Sequence, residues 1–174
     1  MKHLVLGGVK SGKSVFAEQW ICQQDRDIVY IATNMVWDEG MQARVAVHQA
    51  RRPATWELIE EPVALGGTLD ALATRANPPA VILECLSLWM TNLLCAEEEA
   101  LLEQEYQAFL AALATYPAPI VMVSAEVGLG VMPDNALGRK FADRIGVLNQ
   151  TLGQQVEQVT FVAAGLPLTL KSTK

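Results

Sequence analysis

The chain has 174 residues, 51% of them hydrophobic and 18% charged. This is one domain's worth of sequence, expected to span residues 1–174, able to bury roughly 70% of its unfolded surface without disulfide or metal and too apolar to be disordered. Thirteen basic against nineteen acidic residues leave a net charge of −6, which argues against a general nucleic-acid or anionic-membrane binder but permits a local basic pocket.

No targeting segment is expected at Met1–Gly8, and no apolar run approaches the ~20 residues that span a bilayer. Cys22, Cys85 and Cys95 form no Cys-x-x-Cys pair. They are expected to be reduced, buried small hydrophobes in a cytoplasmic protein.

In chain order, the first predicted strand is His3–Leu6, with His3 structural. Gly7-Gly8-Val9-Lys10-Ser11-Gly12-Lys13-Ser14 follows and matches the phosphate-loop pattern G-x-x-x-x-G-K-[ST]. At ordinary residue usage a chance match in this length is below about 1%. Backbone N–H groups of such a loop wrap phosphate oxygens. Lys13 is expected on the β- and γ-phosphates and the Ser14 hydroxyl on Mg²⁺. A helix comes next, with Phe16, Trp20 and Ile21 spaced for one face, then a strand at Ile28–Ala32.

Met41–Arg52 reads as a helix ended by Pro53. His48 shares a face with Arg44 and is followed at +3 and +4 by Arg51 and Arg52. Three guanidinium groups disfavour imidazolium, so His48 is expected to be neutral and nucleophilic near pH 7, with arginines beside it to hold phosphates. From spacing alone it also fits a solvated or core histidine. Thr55–Glu60 alternates as a short edge strand does.

Ala80–Leu83 is a buried strand ending on Glu84. A carboxylate there costs desolvation unless a cation or hydrogen bonds satisfy it, which makes Glu84 a candidate metal-side ligand, or else the partner of a lysine. Leu86–Leu94 fits a core helix through Leu86, Trp89 and Leu93 and is also a candidate substrate surface, as is the loop Glu126–Pro133. A helix over Glu97–Thr115 places Leu102, Tyr106, Phe109 and Leu113 on one face, with the solvated acidic run Glu97–Glu99 at its start. Ile120–Val123 is a strand, Asn135–Glu157 a helix with Leu137, Phe141, Leu148 and Leu152 inward, and Val159–Ala163 a strand. The tail Lys171–Lys174 is expected to be mobile. Non-alternating apolar strands interleaved with helices imply an α/β fold, a mostly parallel sheet flanked by helices with ligands beyond the carboxyl ends of the strands, and the phosphate-loop motif adds the expectation that it is of P-loop NTPase type (RecA-like).

Taken together, several segments resemble the bifunctional adenosylcobinamide kinase / adenosylcobinamide-phosphate guanylyltransferase family. They are Gly7–Ser14, Tyr30–Thr33, Arg44…His48…Arg52-Pro53…Trp56…Glu60, Leu83–Leu86…Thr91–Leu94, Glu126–Pro133, Asp143-Arg144…Gly146…Leu148–Gln150 and Ala164–Pro167. The resemblance implies phosphorylation of adenosylcobinamide, then transfer of GMP from GTP through a guanylylated His48 to give the GDP-linked corrinoid of cobalamin biosynthesis. It implies nucleotide contacts from Ala32, Thr33, Asn34, Gln49, Ala50, Arg51, Arg52, Glu60 and Glu84. It implies ATP or GTP with Mg²⁺ as reactants, a corrinoid partner, no nucleic acid, no membrane insertion, and a homo-oligomer, a trimer in the family. Departures are Ala125, where the family carries asparagine, Lys10 for arginine and Met132 for valine. The first bears on corrinoid-side positioning or kinase efficiency and leaves the phosphate loop and His48 untouched.

Two rival readings remain from the residues. A small-molecule kinase without a covalent step gives His48 no special role. A RecA-like NTPase module would want a macromolecular partner, and the chain carries no basic, aromatic-interleaved stripe for one.

Overall fold

The computed structural model describes residues 1–35 and 53–173. The predicted helix Met41–Arg52, with Arg44, His48, Gln49, Ala50, Arg51 and Arg52, lies outside the described residues.

Seven strands form one sheet among the described residues: Lys2–Gly7 (β1), Ile28–Ala32 (β2), Glu57–Glu60 (β3), Ala80–Glu84 (β4), Ile120–Ala125 (β5), Gln158–Ala163 (β6) and Leu166–Ser172 (β7). Their order is β3-β2-β4-β5-β1-β6-β7, and every neighbouring pair is parallel except β6–β7. The helices are Lys13–Ile21 (α1), Leu65–Ala73 (α2), Leu86–Cys95 (α3), Glu99–Thr115 (α4) and Ala136–Gln155 (α5).

Central strands lack polar alternation because both faces are covered. On one face Leu4, Ile31, Leu83 and Met122 pack beneath residues of α2 to α5, among them Leu69, Trp89, Phe109 and Leu148. On the other, Val5, Tyr30, Ile82, Val123 and Val162 pack with Ala17 and Ile21 of α1. His3 is buried as expected. Its Nε2 sits 2.8 Å from Thr160 Oγ1, and the Phe16 and Trp20 rings meet it edge-on. Burial lowers its pKa to about 4, so the ring is neutral.

Four expectations need correction. Lys171–Thr173 are not a mobile tail: Lys171 and Ser172 belong to β7, Lys171 Nζ donates to Gly153 O and Gln154 O at the end of α5, and Thr173 N donates to Glu157 O. Cys22 and Cys95 are exposed, not buried, because they sit at the solvent-facing ends of α1 and α3. Cys85 is half-buried and its sulfur caps α3, accepting from Leu88 N. Leu137 is 54% exposed, since the first turn of α5 precedes the stretch that reaches the sheet at Ile145, Leu148 and Leu152. No described helix is long and apolar enough to cross a membrane.

Candidate functional site

The phosphate loop joins β1, at the sheet's interior, to α1. Gly7 admits no side chain, because a Cβ there would lie 2.4 Å from Ser11 Oγ and 2.6 Å from Val162 O. Gly12 caps α1 with φ +98°, a left-handed conformation that glycine adopts without a steric penalty. The turn between β6 and β7 braces the loop: Gly165 N donates to Ser11 O at 2.8 Å, and a Cβ on Gly12 would stand 3.1 Å from Gly165 Cα. The start of α1 has no side-chain cap and no acidic residue in its first turn, which suits its backbone N–H groups to an incoming anion. Lys13 Nζ lies across the loop and donates to Gly8 O at 3.1 Å. Val9 and Lys10 face solvent.

Register places the candidate carboxylates. Ala32 pairs with Glu60 on one side and Glu84 on the other, so all three stand level at the carboxyl edge. Ser14 Oγ donates to Glu84 Oε1, and Tyr30 OH donates to Glu84 Oε2 at 3.0 Å. Glu84 thus meets the phosphate-loop serine directly. Hydroxyl and carboxylate oxygens at the end of a phosphate loop are the hard donors a small divalent cation such as Mg²⁺ takes, so the residues fit that ion. Trp56 stacks on Tyr30 with ring centroids 6.4 Å apart. Glu60 is exposed on the edge strand.

Thr33 is fully buried. Its Oγ1 donates to Cys85 O at 2.7 Å and accepts from Cys85 N at 2.8 Å, while Asn92 Nδ2 donates to Thr33 O. The threonine therefore ties the ends of β2 and β4 together and leaves Asn34, half-buried, as the surface residue of that trio. Burial pushes the Cys85 thiol up, which keeps it protonated beside Glu84.

Tyr30 is a site residue that residue-by-residue reading missed, because a tyrosine in an apolar strand run reads as core. Asn149 is another. It accepts from Ser124 Oγ at 2.7 Å and donates to Ala125 O at 3.2 Å, while Ser87 Oγ accepts from Ala125 N at 2.7 Å. Both backbone polar groups of Ala125 are therefore held by side chains of α5 and α3. Leu86–Leu94 is a core helix, with Leu86, Trp89 and Leu93 buried. The loop after β5 is open: Leu129 is 80% and Val131 97% exposed. A groove between β3 and α2, walled by Ile59, Gly67, Ala71 and Arg75, contains none of the phosphate-loop residues.

Known proteins resemble this chain at two levels. A solved ATPase from the type III secretion system of pathogenic bacteria superposes over 97% of this chain and 56% of its own with a TM-score of 0.57, at 13% identity, which shows the fold alone. The bifunctional adenosylcobalamin biosynthesis protein CobP of Pseudomonas aeruginosa is 43% identical over 98% of each chain. Its counterpart CobU of Salmonella typhimurium is 36% identical over 98% of this chain and 100% of its own. The family model for cobinamide kinase / cobinamide phosphate guanyltransferase matches residues 3–170. With a phosphate loop set against Glu84 on a parallel sheet, and matches that run nearly end to end, the chain belongs to the cobinamide kinase / cobinamide phosphate guanyltransferase family.

Proposed function

We propose that the chain phosphorylates adenosylcobinamide and then guanylylates the product by way of a covalent GMP–His48 intermediate. The observation that carries the phosphate-transfer half is the convergence of Lys13, Ser14 and Glu84 at the carboxyl edge of β1 and β4. In the kinase step, the loop N–H groups from Gly8 to Ser14 bind the β- and γ-phosphates. Lys13 exchanges its bond to Gly8 O for phosphate oxygens and neutralises the charge on the transferring group. Ser14 and Glu84 would hold Mg²⁺, whose positive charge would offset that of the phosphates. Tyr30 keeps the Glu84 carboxylate turned toward Ser14.

In the transferase step, neutral His48 attacks the α-phosphorus of GTP. The P–N bond forms as the bond to the α,β-bridging oxygen breaks, and pyrophosphate leaves into the phosphate loop. A phosphate oxygen of cobinamide phosphate then displaces the imidazole. A covalent intermediate divides one difficult displacement into two easier ones. Asn34, Gln49, Ala50, Arg51, Arg52 and Glu60 contact the guanine nucleotide in this reading, which rests on the family resemblance. We also assign a homotrimer; Leu166, Leu168 and Leu170, exposed on the antiparallel edge strand β7, supply apolar surface for such contacts, and light scattering measures the mass.

Product analysis tests the whole reading. Cobinamide, Mg²⁺ and ATP should yield cobinamide phosphate, and GTP should carry it on to the GDP-linked corrinoid. Lys13→Ala should lose phosphate transfer by at least about 10²-fold. Near-normal turnover by Lys13→Ala would overturn the phosphate-loop assignment.

A further inference from the structure

We infer that Glu126 receives the proton of the acceptor hydroxyl in the kinase step; this rests on the phosphate-loop reading above. The argument is one of position. β5 lies between β1, which carries the phosphate loop, and β4, which ends on Glu84. Glu126 is the first residue beyond β5, and its backbone N donates to Gly7 O at 3.1 Å. It therefore leaves the sheet beside the loop, on the side of the metal carboxylate, where a γ-phosphoryl group and its acceptor have to meet.

Among the described residues, Glu60 and Glu84 at this edge are less well placed. Strands stand ~4.8 Å apart, so Glu60 on β3 is about four strand spacings from β1, on the order of 19 Å. Glu84 is engaged by Ser14 and Tyr30. Glu126 is half-buried, and Gly128 N donates to its Oε1 at 2.6 Å, which holds the carboxylate through that oxygen. Its support is rigid, since Ser87 and Asn149 clamp the preceding residue from two helices. Beyond it the chain opens to solvent through Leu129 and Val131, so a bulky acceptor has access.

In the step itself, the acceptor oxygen forms its bond to the γ-phosphorus. The bond from that phosphorus to the β,γ-bridging oxygen breaks, its electron pair leaves with the nucleoside diphosphate, and the hydroxyl proton passes to the Glu126 carboxylate. Glu126→Gln is the informative variant, because glutamine retains an oxygen to accept from Gly128 N. General-base loss should lower kcat of cobinamide phosphorylation by about 10²–10⁴-fold. That fall should exceed any change in KM for cobinamide, and any change in GMP transfer to supplied cobinamide phosphate, by at least about tenfold. A kcat within threefold of wild type overturns the inference. So does a rise in KM without a fall in kcat, or an equal fall in both reactions. Lys13→Ala assayed in parallel separates the two levels: if it abolishes phosphorylation while Glu126→Gln does not, only the Glu126 role fails.

Discussion

Glu84 shows how much of this site depends on single hydrogen bonds. Its two oxygens are taken by side chains from different elements, Ser14 of α1 and Tyr30 of β2. Removing its charge with Glu84→Gln should raise the Mg²⁺ concentration needed for half-maximal kinase activity by at least about tenfold while nucleotide still binds without metal. An unchanged metal requirement would remove Glu84 from the metal side. Gly7, Lys13, Ser14 and Glu84 were legible in the sequence because their chemistry is local: a glycine pattern, and a carboxylate closing an apolar run. Tyr30 was not, since its hydroxyl finds its partner across a strand pairing. Thr33 read as a nucleotide contact, yet its hydroxyl serves Cys85 inside the fold.

His3 gives a pH prediction at the same scale. Its folded pKa of about 4 lies below the unfolded value of 6.5. Above pH 6.5 both states are neutral and the full contribution is present. As pH falls from 6.5 to 4 the unfolded chain binds a proton that the folded one refuses, and stability drops by on the order of 2–3 kcal/mol. Urea midpoints of wild type and the non-titrating His3→Gln should therefore converge from pH 7 to pH 4.5. Parallel curves would contradict this.

Among the elements, α2 and α4 approach closely enough to distinguish two adjacent glycines. A Cβ on Gly66 would stand 2.6 Å from the Ala108 carbonyl carbon, whereas one on Gly67 meets nothing within 4 Å. Gly66→Ala should destabilise by about 1–3 kcal/mol because backbone must move. Gly67→Ala should stabilise by up to about 1 kcal/mol through helix propensity. Thermal midpoints shifting in the same direction would refute the close packing. The buried parallel strands were legible because their apolar runs do not alternate. The helix α2 was not, since Gly66-Gly67 looks like a turn. β7 was missed although Leu166, Leu168 and Leu170 alternate with Pro167, Thr169 and Lys171. That period of two follows Ala164-Gly165, whose φ values of 53° and 76° make the tight hairpin turn.

For the whole molecule, charge is a matter of distribution. Lys10, Lys13, Arg44, Arg51 and Arg52 are five of thirteen basic residues, and they fall in the two segments assigned to phosphate chemistry, while the acidic excess lies elsewhere. Glu99, for example, is spent on Lys140 and Arg144 across α4 and α5. The family match over residues 3–170 joins the two segments into one enzyme, and the fold accounts for the first of them. The second, around His48, bears the central claim. Incubation with GTP labelled at the α-phosphorus, followed by denaturation, measures it directly. The account predicts acid-labile label on the wild-type protein and none on His48→Ala; an unlabelled wild type, or label that survives in His48→Ala, would contradict it.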